Sequence, residues 1–208
     1  MFYLVTAPWC MRRMYPRGLV WEQPTREKVV YLTFDDGPHP EATPYVLDVL
    51  QEFEAKATFF CVGKNVQEHP DIYRRILLEG HRTGNHTHHH LNGWKTDDHT
   101  WLGDVQEAAR WIDSDLFRPP YGRITPFQAK LLQEGERPFR IIMWSLLSAD
   151  FDARVPAEKS LHYLKKHSRS GSVIVFHDSK KTYPKIVKIL KPALEELKRK
   201  GFVFKTIE

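Results

Sequence analysis

Residues 29–38 read VVYLTFDDGP. Residues 29–34 are β-branched, aromatic or aliphatic with one threonine, the composition of a strand buried on both faces. That strand runs directly into Asp35 and Asp36. Two adjacent carboxylates leaving a buried strand repel each other and lose hydration, a costly arrangement unless a cation shares it. Asp-Gly and Gly-Pro also favour a turn. The stretch therefore predicts a buried strand whose C-terminal end opens into a polar loop.

Working outward, short apolar runs recur at 57–61, 81–85, 116–117, 140–144, 172–176 and 202–207. Helical stretches lie between them. Residues 43–53 carry Val46, Leu47, Val49, Leu50 and Phe53 on one side. Residues 71–79 group Ile72, Ile76 and Leu77, with Gly80 as the cap. Residues 183–200 begin with Pro184 and repeat Ile186, Ile189, Leu190, Leu194 and Leu197 at helical spacing. Weaker helical patterns cover 100–112, 126–133 and 156–167. Alternating strands and helices predict a mainly parallel sheet covered by helices. The 208 residues fit a single-domain α/β fold, a distorted (β/α) barrel of about seven strands, with a doubly wound open sheet as the rival. In either fold, functional groups gather at the C-terminal ends of the strands.

Composition narrows the function. The formal net charge of +5 would suit a nucleic-acid binder only if clustered. The surplus sits largely around Lys191–Lys200, where Glu195 and Glu196 interrupt it, which describes a solvated helix face. The expectation is no nucleic-acid partner, although mild positive charge favours an anionic polymer or membrane surface. No run reaches the roughly 18 apolar residues of a membrane span. The first residues are apolar before they are basic, the reverse of a secretory signal, so a cytoplasmic or membrane-peripheral protein is expected. Cys10 and Cys61 make no disulfide framework, and Cys61 reads as a buried thiol.

Polar motifs follow five of the runs. The third ends in His86-Thr87-His88-His89-His90. His86 and His90 are four apart, so on a helical turn their rings would share a side. Two imidazoles and a carboxylate form a catalytic zinc set with positions left open, although pairing through His88 or His89 stays possible. The fourth run leads into Arg118-Pro119-Pro120-Tyr121-Gly122, a stiff loop suited to an arginine clamp and a backbone oxyanion donor. Asp150 follows the fifth run by a short link. His177 ends the sixth.

In this order, TFDDGP, a TFF strand, HTxxH and RPPYG resemble the polysaccharide deacetylase family, also called the NodB-homology family or carbohydrate esterase family 4. The resemblance runs over about residues 28–207. It implies a distorted barrel in residues 28–208, with 1–27 as an N-terminal extension packing on it. It further implies that Asp35 is the general base and that Asp36, His86 and His90 hold a divalent metal, most often zinc. Thr87 braces the histidine loop. Arg118 orients Asp35, the Tyr121 N–H helps bind the oxyanion, and His177 is the general acid paired with Asp150. Two departures stand out. The fourth motif, usually Asp-x-x-Asp-Trp, is here Leu147 to Phe151, keeping only Asp150, and the fifth, usually Leu-x-His, is Val175-Phe176-His177. The expected activity is removal of an N-acetyl group from an amino sugar, with a carbohydrate as partner. Rival readings are deacylation or deformylation of a lipid-linked sugar, O-deacetylation of xylan, and a metal-containing carbohydrate-binding pseudoenzyme.

Overall fold

A computed structural model describes residues 4–208. Its strands are β1 (Val29–Asp35), β2 (Ala57–Cys61), β3 (Arg82–Asn85), β4 (Leu116–Phe117), β5 (Arg140–Ile141), β6 (Leu146–Leu147), β7 (Val173–His177) and β8 (Val203–Phe204). The helices are α1 (Trp9–Arg12), α2 (Ala42–Glu52), α3 (Gly63–Glu68), α4 (Pro70–Leu78), α5 (Asp98–Ala109), α6 (Pro126–Glu134), α7 (Ala157–His167) and α8 (Tyr183–Arg199). The strand order is β5-β4-β3-β2-β1-β7-β6, all parallel, with β8 beside the start of β1. Strands march outward from β1 in both directions, so the order is that of a barrel opened between β5 and β6. The expected distorted barrel is the fold, and the open-sheet rival is excluded.

The centre of the sheet explains itself by register. Phe34 lies level with Phe59 on β2 and Phe176 on β7. Parallel in-register strands put these rings side by side, and they stack at 5.1 and 5.5 Å between centroids. Outside this ladder α8 buries Ile186, Ile189, Leu190, Leu194 and Leu197, the residues its spacing nominated. Gly80 takes the left-handed conformation (φ 75°) that ends α4, as expected of a glycine there.

One expected strand is broken. The run 140–144 pairs with β4 only over Arg140–Ile141, and a second short strand, β6, forms at the opposite edge against β7. The carbonyls of Ile142 and Met143 are taken by the Arg118 side chain, at 3.1 and 2.9 Å, so they cannot extend a ladder. Residues before β1 bridge the opening. Val20 N–H donates to Ile141 O and Met143 N–H donates to Val20 O, while Leu147 N–H donates to Val5 O. Helix α3, which no periodicity announced, turns the chain from β2 towards α4. No helix among the described residues is long and apolar enough to cross a membrane.

Candidate active site

Every residue singled out by its place after a strand comes to the same rim of the barrel. Asp35 closes β1 and is level with His177 at the end of β7. Asp36 follows with φ 81°, and the Gly37–Pro38 peptide is cis. The turn is gripped from two sides. Asn65 Nδ2 donates to Asp36 O at 2.7 Å, and Gly37 N–H donates to Asp178 Oδ1 at 3.1 Å. A Cβ on Gly37 would stand 2.1 Å from Asp178 Oδ2, so only glycine fits against that carboxyl. Asp178 also accepts from Thr43 Oγ1 at 2.6 Å. Burial pushes its pKa up to about 8, against the lowering effect of the Thr43 bond.

Asp36, His86 and His90 converge. Asp36 Oδ1 lies 3.1 Å from His90 Nε2 and 3.6 Å from His86 Nε2. One ligand-capable atom from each residue falls within 4.8 Å of the others. Burial works to raise the Asp36 pKa, but its bond to His90 and the charges of His177, His90 and His86 carry it well below the usual carboxylate range. His86 Nδ1 lies 2.7 Å from Arg118 O, so Nδ1 carries the proton and donates. Nε2 then presents its lone pair to the cluster, the arrangement metal-binding histidines use. Burial, the largest influence, lowers the His86 pKa to about 4, which keeps the ring neutral. An anionic carboxylate and a lone-pair imidazole fit a divalent cation.

The helical turn expected for His86–His90 does not form. Thr87 (φ 63°) and His90 (φ 58°) are both left-handed, and the two rings approach because the loop reverses twice. Thr87 Oγ1 accepts from Leu91 N–H at 3.2 Å, which braces the loop. Asp104 on α5 ties down the backbone of the neighbouring histidines and the ring of His89. Its Oδ2 accepts from the backbone N–H of His88 and His89, and its Oδ1 lies 2.6 Å from His89 Nδ1. The pairing through His88 or His89 is thus not the one the fold makes.

Arg118 is fully buried and organises the centre. Its Nη1 donates to Asp35 Oδ1 and to Thr33 Oγ1, both at 2.7 Å, and its guanidinium lies 4.0 Å from the Phe60 ring centroid. Burial lowers its pKa, opposed by Asp35. The loop beyond reaches Tyr121, left-handed at φ 58°, whose ring meets His90 at 4.6 Å. Gly122 is also left-handed, and a Cβ there would strike Trp144 at 2.4 Å.

His177 is bound twice by one carboxylate. Asp150 Oδ1 lies 2.8 Å from His177 Nδ1, and Asp150 Oδ2 accepts the His177 N–H at 2.7 Å. Burial pulls the imidazole pKa down, but Asp150, followed by Asp36 and Asp35, carries it up to about 10. Lys185 on α8 steadies this loop by donating to Ala149 O and Asp152 O at 3.3 and 2.5 Å. The departures in the fourth motif now have places. Leu147 is buried within β6, and the Phe151 ring stands edge-on to His177 at 5.3 Å.

Sequence reasoning missed Thr33, Asn65, Asp104, Asp178 and Lys185. Asp178 alone carried a usable signal, as a second acid directly after a strand-end histidine. Cys61 is buried as expected, with its thiol pKa raised mainly by burial, and Cys10 is exposed.

The chain is similar to known proteins along almost all of its length. The polysaccharide deacetylase family profile matches residues 22–135. A peptidoglycan-N-acetylglucosamine deacetylase of Bacillus cereus is 35% identical over 203 residues, covering 94% of each chain. A chitooligosaccharide deacetylase of Azorhizobium caulinodans is 34% identical over 158 residues, covering 72% of this chain and 73% of that one. Among solved structures, a peptidoglycan N-acetylglucosamine deacetylase in complex with 4-naphthalen-1-yl-N-oxidanyl-benzamide superposes with a TM-score of 0.83 at 33% identity, covering 96% of this chain and 94% of that one. Profile, sequence relatives and superposed structure agree with the strand-end motifs: this chain belongs to the polysaccharide deacetylase family.

Proposed function

We propose that the chain is a metal-dependent hydrolase that removes the N-acetyl group from an N-acetylated amino-sugar chain of the chitooligosaccharide or peptidoglycan kind. One observation carries the reading. Two separately held acid–base groups, Asp35 on Arg118 and His177 on Asp150, flank a ligand cluster of Asp36, His86 and His90 on one rim.

Asp36, His86 and His90 would hold the ion, with zinc the best match to a two-imidazole, one-carboxylate set. When bound, a divalent ion supplies Lewis acidity to the acyl carbonyl and makes water easier to deprotonate. Asp35, oriented by Arg118, accepts the proton of the attacking water. The Tyr121 N–H, held in a left-handed turn, donates to the oxyanion that develops on the carbonyl oxygen. His177 is protonated through neutral pH and gives its proton to the nitrogen as the carbon–nitrogen bond breaks, while Asp150 stabilises the imidazolium. Without that proton the nitrogen would have to leave as an anion, the hardest part of the reaction, because an unprotonated amide nitrogen is a poor leaving group.

Incubation with N-acetylglucosamine oligomers and with peptidoglycan, reading acetate and free amine together, tests the proposal. Equal amounts of both products are expected, lost on chelation and regained with zinc. Bound metal without either product from any acetylated sugar would contradict it.

A further inference from the structure

We propose that Trp94 is a stacking platform for a sugar unit that neighbours the one being deacetylated. The inference rests on the carbohydrate-deacetylase reading, which makes an extended substrate available to be held. Isolated exposed aromatic residues are ordinary on protein surfaces, so exposure alone carries nothing. What separates Trp94 is where it sits and how firmly.

Trp94 follows the metal-ligand candidate His90 by four residues, a span of at most about 14 Å of chain. It is also tied to the loop on the other side of that ligand. The His90 ring contacts the Tyr121 ring, and two residues beyond Tyr121 the guanidinium of Arg123 lies 4.0 Å from the Trp94 ring centroid. Trp94 is therefore linked to the metal-ligand side of the rim.

The indole is fixed in place. Its Nε1 donates to Ile124 O at 3.0 Å, and its backbone N–H donates to Asn92 Oδ1 at 3.0 Å. The turn beneath it is closed by bonds from Lys95 N–H and Thr96 N–H to Asn92 O. Gln128 on α6 clamps the same turn, donating to Gly93 O and Asp98 Oδ1, both at 2.9 Å. A Cβ on Gly93 would stand 2.4 Å from Arg123 O, so the two loops are in direct backbone contact. Yet the residue remains 54% exposed, as does Tyr121. Arg123 covers one face of the indole, and the ring's polar hydrogen-bond donor is already spent on Ile124. What remains for a ligand is a flat apolar face.

A sugar ring presents just such a complement, a face of C–H groups with hydroxyls around its edge that stay hydrated. An aromatic plane binds that face at low entropic cost when its rotamer is already fixed. The reacting unit must lie over Asp36, His86 and His90, so Trp94 addresses a flanking unit and sets a preference for oligomers over the monosaccharide.

Calorimetric titration of the zinc-loaded Asp35→Asn protein with N-acetylglucosamine, from monosaccharide to hexasaccharide, tests this. Adding Trp94→Ala should weaken pentasaccharide binding on the order of tenfold. Monosaccharide binding should change far less. Trp94→Tyr should restore most of the loss, and Trp111→Ala, an exposed indole at the end of α5, should cost nothing. Equal pentasaccharide affinity with and without Trp94, the same loss for monosaccharide, an equal loss from Trp111→Ala, or no oligomer binding at all would each overturn the platform. Failure of the deacetylase reading looks different: the wild-type enzyme would bind oligomers through Trp94 yet release no acetate from them.

Discussion

The two sides of the rim use the same residue types to opposite ends. On one side Asp36 meets His86 and His90, and on the other Asp150 meets His177. His86 is held near a pKa of about 4 and His177 near about 10. Loss of hydration lowers both values, so burial alone does not set the difference. The Nδ1 partner does. His86 faces the neutral carbonyl of Arg118, which leaves a deprotonated Nε2 for a cation. His177 faces the carboxylate of Asp150, which stabilises the imidazolium. A lone-pair donor and a proton donor are thus produced from one side chain by exchanging a dipole for a charge.

The sharpest way to break this contrast is to remove the proposed proton-transfer groups while leaving the candidate ligands alone. His177→Ala and Asp35→Asn should each lower kcat by roughly a hundredfold to ten-thousandfold while keeping stoichiometric metal. Steady-state kinetics and metal analysis on the same samples check both. Near-normal turnover in His177→Ala would mean another proton donor. On the opposite side, His86→Ala should lose metal affinity by more than the roughly 10- to 100-fold that removal of an outer partner costs. His88→Ala should retain the ion, because Asp104 holds that stretch of the loop through backbone bonds.

A finer prediction concerns the partner rather than the ring. Asp150→Asn removes the charge that favours the imidazolium at nearly constant shape. His177 then gives up its proton more readily, so the basic limb of the pH–activity profile should move down by roughly one to three pH units. An unmoved limb would separate Asp150 from the acid's titration.

The contrast also shows what could be read from the chain. The central strand was legible because residues 29–34 are apolar or β-branched throughout and run into two acids. The candidate ligand residues were legible by type, but not their geometry: an i, i+4 spacing suggested a helical turn, and the loop instead uses two left-handed residues. The edge strands were not legible. β5 and β6 are two residues each, too short for any periodicity, and their separation depends on Arg118 capturing carbonyls from a distant part of the sequence. The contacts of Asp178 were hidden for a similar reason. Its partners, Gly37 and Thr43, are far from it in sequence and become neighbours only when β7 pairs with β1.

Asp178 gives the smallest expected effect. Its folded pKa of about 8 lies above the ordinary aspartate value of about 3.9, so the folded state binds the extra proton between those limits. That contribution to stability is complete below the unfolded value and is lost as pH rises through the folded one. In metal-free protein, thermal unfolding of Asp178→Asn should therefore fall less between about pH 4 and pH 8 than that of the parent. An unchanged slope would mean that the carboxyl is ionised in the fold.

The division between the two histidines can be observed at the rings themselves. Nitrogen-15 NMR of the imidazoles in the zinc-loaded protein, followed from pH 6 to pH 9, reports protonation and tautomer for each. The prediction is a neutral His86 protonated on Nδ1 throughout, and a His177 that keeps both ring protons well above the ordinary histidine pKa of about 6.5. A His177 that loses its proton near that ordinary value, or a His86 carrying its proton on Nε2, would contradict the account.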